Sequence, residues 1–123
     1  MSLETVRLSQ TARDQLIRLK RVTGIQNWNV LCRWGLLVSL RDPSPPLVRE
    51  IITDSNVEMT WRTFAGSYAE IYMALLKLRC ERDGLEVSEQ NLGYTLTVHL
   101  HRGIGFIAGR RDMKSVVDLV SLV

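Results

Sequence analysis

The sequence predicts a mainly α protein whose first 41 residues form a strand and two helices. Three observations carry this reading. Glu4–Leu8 alternates, and a Ser cap, a basic helical stretch, a Gly stop, an Asn cap and an apolar helical stretch follow in order. Further along, Ser67 and Ser88 stand where helix caps belong, each before a long periodic segment. A length of 123 residues suits one domain, 1–123, with a real core. The strand-helix-helix order is that of a ribbon-helix-helix-like unit over 1–41, with 42–123 as a helical remainder.

In the first segment Thr5 and Arg7 point to one side, Val6 and Leu8 to the other, as a half-buried strand requires. Ser9 caps a helix over 10–23, whose core stripe is Ala12, Leu16 and Leu19. Gly24 supplies a left-handed stop. Asn27 caps a second helix to about Arg41, apolar around nearly its whole circumference. Such a helix is central to its domain or packs on another subunit, so Gly24, Trp28, Leu31, Trp34 and Leu36 are candidate interface residues.

Pro43, Pro45 and Pro46 end that helix. From 47 to 64 two readings compete. Alternation over Val57–Arg62 favours a strand, in a mid-chain hairpin with Val48–Ile52 through Asp54-Ser55-Asn56. Ser55 and Glu58 also fit a capping box, which would start a helix. A third helix follows, with Ser67 and Glu70 as its capping box and Ile71, Leu75 and Leu78 as its main apolar stripe, widened by Tyr68, Tyr72, Met73 and Leu76. Gly84 ends it. Ser88 caps a fourth helix to about Arg102, and Gly103, Gly105 and Gly109 mark a flexible loop. A last amphipathic turn or two covers 112–122.

Charge is unevenly placed. Residues 1–41 hold seven Lys and Arg against two Asp and Glu, residues 42–98 five against nine, and residues 99–123 four against two. Two basic ends therefore flank an acidic middle, within a net charge of +3. Clustered positive charge is the footprint of a phosphate-binding surface. Arg7, Arg13, Arg18, Lys20 and Arg21 form the first cluster, and a solvated helix face is the competing reading. Arg102, Arg110, Arg111 and Lys114 surround the glycines of the second. That run lacks the Gly-Lys-Ser/Thr of a P-loop, so a plain connector competes with a phosphate clamp.

Other chemistry is poorly supported. His99 and His101 are two apart on a helix and do not face the same way, so no metal set is expected. Cys32 sits in an apolar helix and Cys80 near a helix C-terminus, both unfavourable to thiolate. No nucleophile elbow or carboxylate dyad is visible, and neither a cofactor nor enzymatic activity is expected. Two cysteines do not make a disulfide framework. The most apolar stretch, Trp28–Leu40, is interrupted by Asn29, Arg33 and Ser39 and is too short to span a bilayer. No secretory signal is read at the start, and a cytoplasmic protein without a membrane partner is expected.

The segments TGIQNWNVLCRW (23–34), PSPP (43–46), DSNVEMTWRTFAG (54–66) and LHRGIGFIAG (100–109) resemble the DndE family of DNA sulfur-modification proteins. The resemblance implies an accessory subunit of DNA phosphorothioation, in which sulfur replaces a non-bridging phosphate oxygen. It implies a homo-oligomer, a tetramer, that binds duplex DNA with a preference for nicks. It also implies work beside a cysteine desulfurase, an iron–sulfur PAPS-reductase-like protein and an ATPase. The family offers no catalytic motif to carry over, so the DNA-binding residues named above rest on charge and position. The alternative is a structural adaptor of the modification proteins without important DNA contacts of its own.

Overall fold

The computed structural model describes residues 3–123. Strand β1 (Thr5–Arg7) leads into α1 (Gln10–Thr23) and α2 (Trp28–Arg41). After an irregular strap, β2 (Glu58–Thr60) runs into the short α3 (Trp61–Ala65), and α4 (Ala69–Arg82), α5 (Glu89–Ala108) and α6 (Val116–Val120) follow. The architecture is mainly α with the expected strand-helix-helix start.

The first unit forms for the reasons its sequence gives. Val6 and Leu8 are buried while Thr5 and Arg7 face out. The Ser9 hydroxyl accepts the Ala12 N–H at 3.1 Å, satisfying one of the free amides of the first turn. Gly24 stands at φ 76°, where a Cβ would strain the backbone, and its N–H closes onto the Lys20 carbonyl at 2.9 Å. Asn27 holds the N-cap position of α2 but makes no side-chain bond there.

Pairing of the strand departs from the ribbon-helix-helix expectation. In such proteins the strand pairs with its copy in a second subunit. Here β1 pairs antiparallel with β2 of the same chain, Val6 against Met59 and Arg7 against Glu58. The expected hairpin is also absent. Val48–Ile52 has no regular structure, and the alternating segment ends at Thr60, whose hydroxyl caps α3 by accepting the Thr63 N–H. The strap over 43–57 is instead fastened at its ends. Ser55 donates its N–H and hydroxyl to the Leu8 carbonyl, at 3.2 and 2.7 Å.

The glycine run is not a loop. Helix α5 continues through Gly103 and Gly105 to Ala108, because α2 crosses it there in near backbone contact. A Cβ built on Gly103 would lie 1.5 Å from the Gly35 carbonyl oxygen, and one on Gly35 would lie 2.8 Å from Ile104. Only a residue without a side chain fits at Gly103. The close approach lets Leu31, Cys32 and Leu36 of α2 meet Leu96, Leu100, Ile104 and Ile107 of α5 in one buried core. Leu16 and Leu19 of α1, Leu76 of α4 and Leu119 of α6 join it, and Phe64 stacks on Trp61 and meets Tyr72 edge-on, each at 5.6 Å.

Helix α4 buries the flank of its expected stripe that holds Tyr72 and Leu76, not the centre. A 3₁₀ turn over Gly66–Tyr68 precedes it, so Ser67 does not cap it. Tyr72, Leu76, Arg79 and Cys80 face the core, whereas Ile71 and Leu78 of the expected stripe face out. Both faces of this helix are apolar, and periodicity alone does not choose between them.

These contacts predict opposite outcomes at two neighbouring glycines. Gly103→Ala should cost roughly 3 kcal/mol or more through overpacking. Gly105→Ala, whose new methyl would meet nothing within 4 Å, should be neutral or stabilise by about 0.5–1 kcal/mol through helix propensity. Urea unfolding of the two variants measures the contrast, and equal stabilities would refute the tight crossing.

Candidate nucleic-acid interface

Helix α1 turns 100° per residue, which fixes where its cations stand. Leu16 and Leu19 mark the core side, Arg13 and Lys20 share one flank, Arg18 holds the other, and Arg21 lies between them on the outer face. The N-terminal cluster is therefore spread around half the helix and does not form a single stripe.

Several of these cations already have partners. The Arg7 guanidinium pairs with Glu58 at 3.2 Å across the two-stranded sheet, in full solvent. Arg13 donates to Asn56 Oδ1 at 2.9 Å and lies 3.5 Å from Asp14. Lys20 Nζ sits 3.5 Å from the centre of the Trp28 ring, a cation–π contact. An exposed pair such as Arg7–Glu58 is worth at most about 1 kcal/mol, so little holds its guanidinium in place.

The other flank brings the two ends of the sequence together. Arg18 donates to the Ala108 carbonyl at 2.6 Å, at the negative end of α5. This contact sets the basic edge of α1 beside the turn over 109–114. Arg110 there pairs with both oxygens of Asp112, at 3.1 and 3.0 Å. Arg111, Lys114 and Arg21 are exposed and their side chains engage no acidic group among the described residues. Of the expected DNA-binding residues, Arg18 and Arg21 thus stand on the edge of α1 that is tied to the start of the turn carrying Arg110, Arg111 and Lys114.

Arg102 belongs elsewhere. Its guanidinium is turned inward, donating to the hydroxyl and carbonyl of Ser39 and to the Ser44 carbonyl at 2.8–3.0 Å. It is part of a polar brace that composition did not reveal. His99 meets Asp83 Oδ2 through Nε2 and the Ser39 hydroxyl through Nδ1, both at 2.8 Å. Arg79 donates to Asp83 at 2.9 Å and to the Leu40 and Ser44 carbonyls at 3.0 and 2.7 Å. The donors fix one tautomer. Arg102 donates to Ser39, Ser39 donates to Nδ1, and Nε2–H donates to the Asp83 carboxylate.

Serine, histidine and aspartate in a hydrogen-bonded row have the composition of a hydrolase triad. Ser39 and His99 are, however, both 0% exposed. With neither residue exposed, the row works as a brace that ties α2, α4 and α5 to the start of the strap. Burial lowers the pKa of His99, partly offset by its bond to Asp83. Burial acts upward on Asp83, but the bonds from His99 and Arg79 hold its carboxyl below the ordinary value. His101 is separate. It donates from Nδ1 to the Thr97 carbonyl at 2.7 Å and accepts the Ser9 N–H at 3.0 Å, and burial again lowers its pKa. Burial pushes the Cys32 thiol up to about 12. No group of three or more His, Cys, Asp and Glu able to hold a metal occurs among the described residues.

The expected interface residues also separate. Leu31 and Leu36 are core residues, buried against α5 within the chain, and are not free to meet another subunit. Trp28, Trp34 and Gly24 keep surface. Trp34 lines an apolar groove of about 430 Å³ with Val30, Leu37, Val38, Tyr72 and Leu122, bordered by Arg33 and Arg41. A second cleft, of about 950 Å³, opens between the strap, the start of α1 and α5, with Arg49, Glu50 and Asp54 on its wall. No helix among the described residues is long and apolar enough to cross a membrane.

Comparison with known proteins agrees with the sequence resemblance. The family model of DNA sulphur modification protein DndE matches residues 5–115. The crystal structure of DndE from Escherichia coli B7A, involved in DNA phosphorothioation modification, superposes with a TM-score of 0.72 at 21% identity. It covers 86% of this chain and 97% of that one. A double glycine-to-lysine mutant of DndE gives a TM-score of 0.66 at 17% identity, over 86% and 99% of the two chains. A sequence search of curated proteins finds no match.

The two depressed histidines set a pH dependence. The unfolded chain takes up protons near pH 6.5, whereas the folded chain keeps both imidazoles neutral to lower pH. Their contribution is thus complete above about 6.5 and lost as pH falls from there through the folded pKa values. The urea midpoint should be lower at pH 5 than at pH 7.5, and His99→Gln should flatten that dependence. A midpoint that rises on acidification contradicts the assignment of neutral histidines.

Proposed function

Because the chain belongs to the family of DNA sulphur modification protein DndE, we propose that it is a DNA-binding accessory subunit of phosphorothioation. It holds duplex DNA, intact or nicked, through the phosphate backbone, as part of a cytoplasmic homo-oligomer, a tetramer. The sulfur chemistry itself falls to a cysteine desulfurase, an iron–sulfur PAPS-reductase-like protein and an ATPase.

One observation carries this reading. The bond from Arg18 to the Ala108 carbonyl ties the edge of α1 that carries Arg18 and Arg21 to the start of the turn that carries Arg110, Arg111 and Lys114, which supports one cationic surface drawn from both basic ends of the sequence. Arginine forks match phosphate oxygens in two-point contacts, and such contacts position a duplex without reading its bases. Arg7 on β1 and Arg13 and Lys20 on the other flank of α1 add further cations when they leave their partners. Arg102 is excluded, since its donors are spent on Ser39 and Ser44. Assembly enlarges the surface, because several copies neutralise more phosphates than one. The exposed remainder of α2, with Trp28 and Trp34 and the turn at Gly24, is the proposed subunit contact.

The groove beside Trp34 favours a second reading, in which the protein is an adaptor that docks the other modification proteins and makes no important DNA contact. Salt-dependent binding of DNA by the purified chain separates the two.

The expected result is that log affinity falls linearly with log salt for intact and nicked duplexes. Arg21→Glu, Arg111→Glu and Lys114→Glu should each reduce that slope by about one, for every sequence alike. Replacing both Cys32 and Cys80 by Ser should leave binding unchanged. Unaltered affinity and slope in the triple charge reversal would leave the adaptor reading standing.

A further inference from the structure

Helix α4 presents an apolar stripe that the chain leaves largely uncovered, with only Leu75 half-buried. Tyr68, in the turn before it, and Ile71, Leu75 and Leu78 are spaced three, four and three apart, the a/d pattern of a helix-pairing seam. Tyr68, Ile71 and Leu78 are 59%, 57% and 66% exposed, whereas the opposite side of the helix is packed into the core. A continuous apolar stripe of this kind marks a contact surface.

The charges beside the stripe specify what covers it. Glu70 and Lys77 are seven residues apart, two turns along the same edge, and both are exposed. Neither has a partner among the described residues. Ala74 lies between them, small and exposed. Glu70 is about 6 Å before Ala74 along the helix and Lys77 about 4.5 Å after it. A two-fold axis beside Ala74 therefore sets Glu70 of one copy nearly level with Lys77 of the other, and makes that pair twice. The same operation sets Ile71 against Leu78 and lets the two helices approach closely at Ala74. Parallel pairing would instead set like charge against like.

We propose that α4 packs antiparallel on α4 of a second copy of this chain, about a two-fold axis at Ala74, with Glu70 and Lys77 fixing the register. The inference rests on the homo-oligomer reading above and names one of its contacts. It supplies one of the two isologous interfaces that a tetramer of dihedral symmetry needs.

Charge exchange tests the register. Glu70→Lys and Lys77→Glu each turn two attractions into two repulsions, and each should weaken self-association about tenfold in sedimentation velocity. The double variant should regain the wild-type dissociation constant. So should an equimolar mixture of the two single variants, in which every facing pair is opposite in sign. All the substitutions are at exposed positions, and circular dichroism should report an unchanged fold. Single variants that associate like wild type, or a double variant no better than the singles, overturn the α4 pairing. Trp34→Glu serves as the parallel arm. If it dissociates an oligomer that ignores Glu70 and Lys77, the α4 contact fails while the homo-oligomer reading stands. A wild type that is monomeric throughout removes both.

Discussion

The structure depends on the crossing of α2 and α5 at Gly35 and Gly103. The Gly103 Cα approaches the Gly35 carbonyl so closely that a methyl group would overlap it. Protein interiors are close-packed and transmit such a change, so the crossing fixes the distance and angle at which α2 and α5 pack. Leu31, Cys32 and Leu36 seat against Leu100, Ile104 and Ile107 only at that distance. The apolar contacts on either side supply the energy, and the two glycines supply the geometry.

A polar arrangement follows from the same crossing. Ser39 lies one turn beyond Gly35 and His99 one turn before Gly103, so closing the helices brings the hydroxyl to the imidazole. Asp83 and Arg79 of α4 complete the row, and Arg79 and Arg102 reach over to hold the Ser44 carbonyl. A buried histidine, carboxylate and arginine with every hydrogen bond made are compatible with a stable core, whereas removing one member leaves the others stranded. The brace therefore links the helix pair to α4 and to the strap. The cationic surface depends on the same frame, because Arg18 is held by the Ala108 carbonyl at the end of α5.

What the sequence shows is local, and what it hides is long-range. Ser9, Gly24 and Ser88 were legible because a cap or a left-handed stop is a property of a few neighbouring residues. Val6 and Leu8 were legible through alternation. Gly103, Gly105 and Gly109 read as a loop because glycine weakens an isolated helix, and nothing near them reports that Gly35 lies opposite. The partner of β1 was hidden for the same reason, since Met59 is far away along the chain. Helix α4 misled because both its faces are apolar. Of the candidate site, the basic character of both ends was legible. Which cations are free was not, because Arg102 is claimed by the hydroxyl and carbonyls of Ser39 and Ser44, far away along the chain. The DndE resemblance identified the family correctly, on segments that include the crossing glycine Gly103 and the strap anchor Ser44.

The central claim is that a rigid α2–α5 pair carries a DNA-binding surface made from the end of α1 and the turn after α5. Amide hydrogen exchange with and without duplex DNA tests it most directly, since exchange reports protection segment by segment. The account predicts slow exchange around Gly35–Ser39 and His99–Gly103 in both states. It predicts new protection on DNA addition over residues 18–23 and 109–114. Protection confined to the strap or to α4, or none at all, would contradict it.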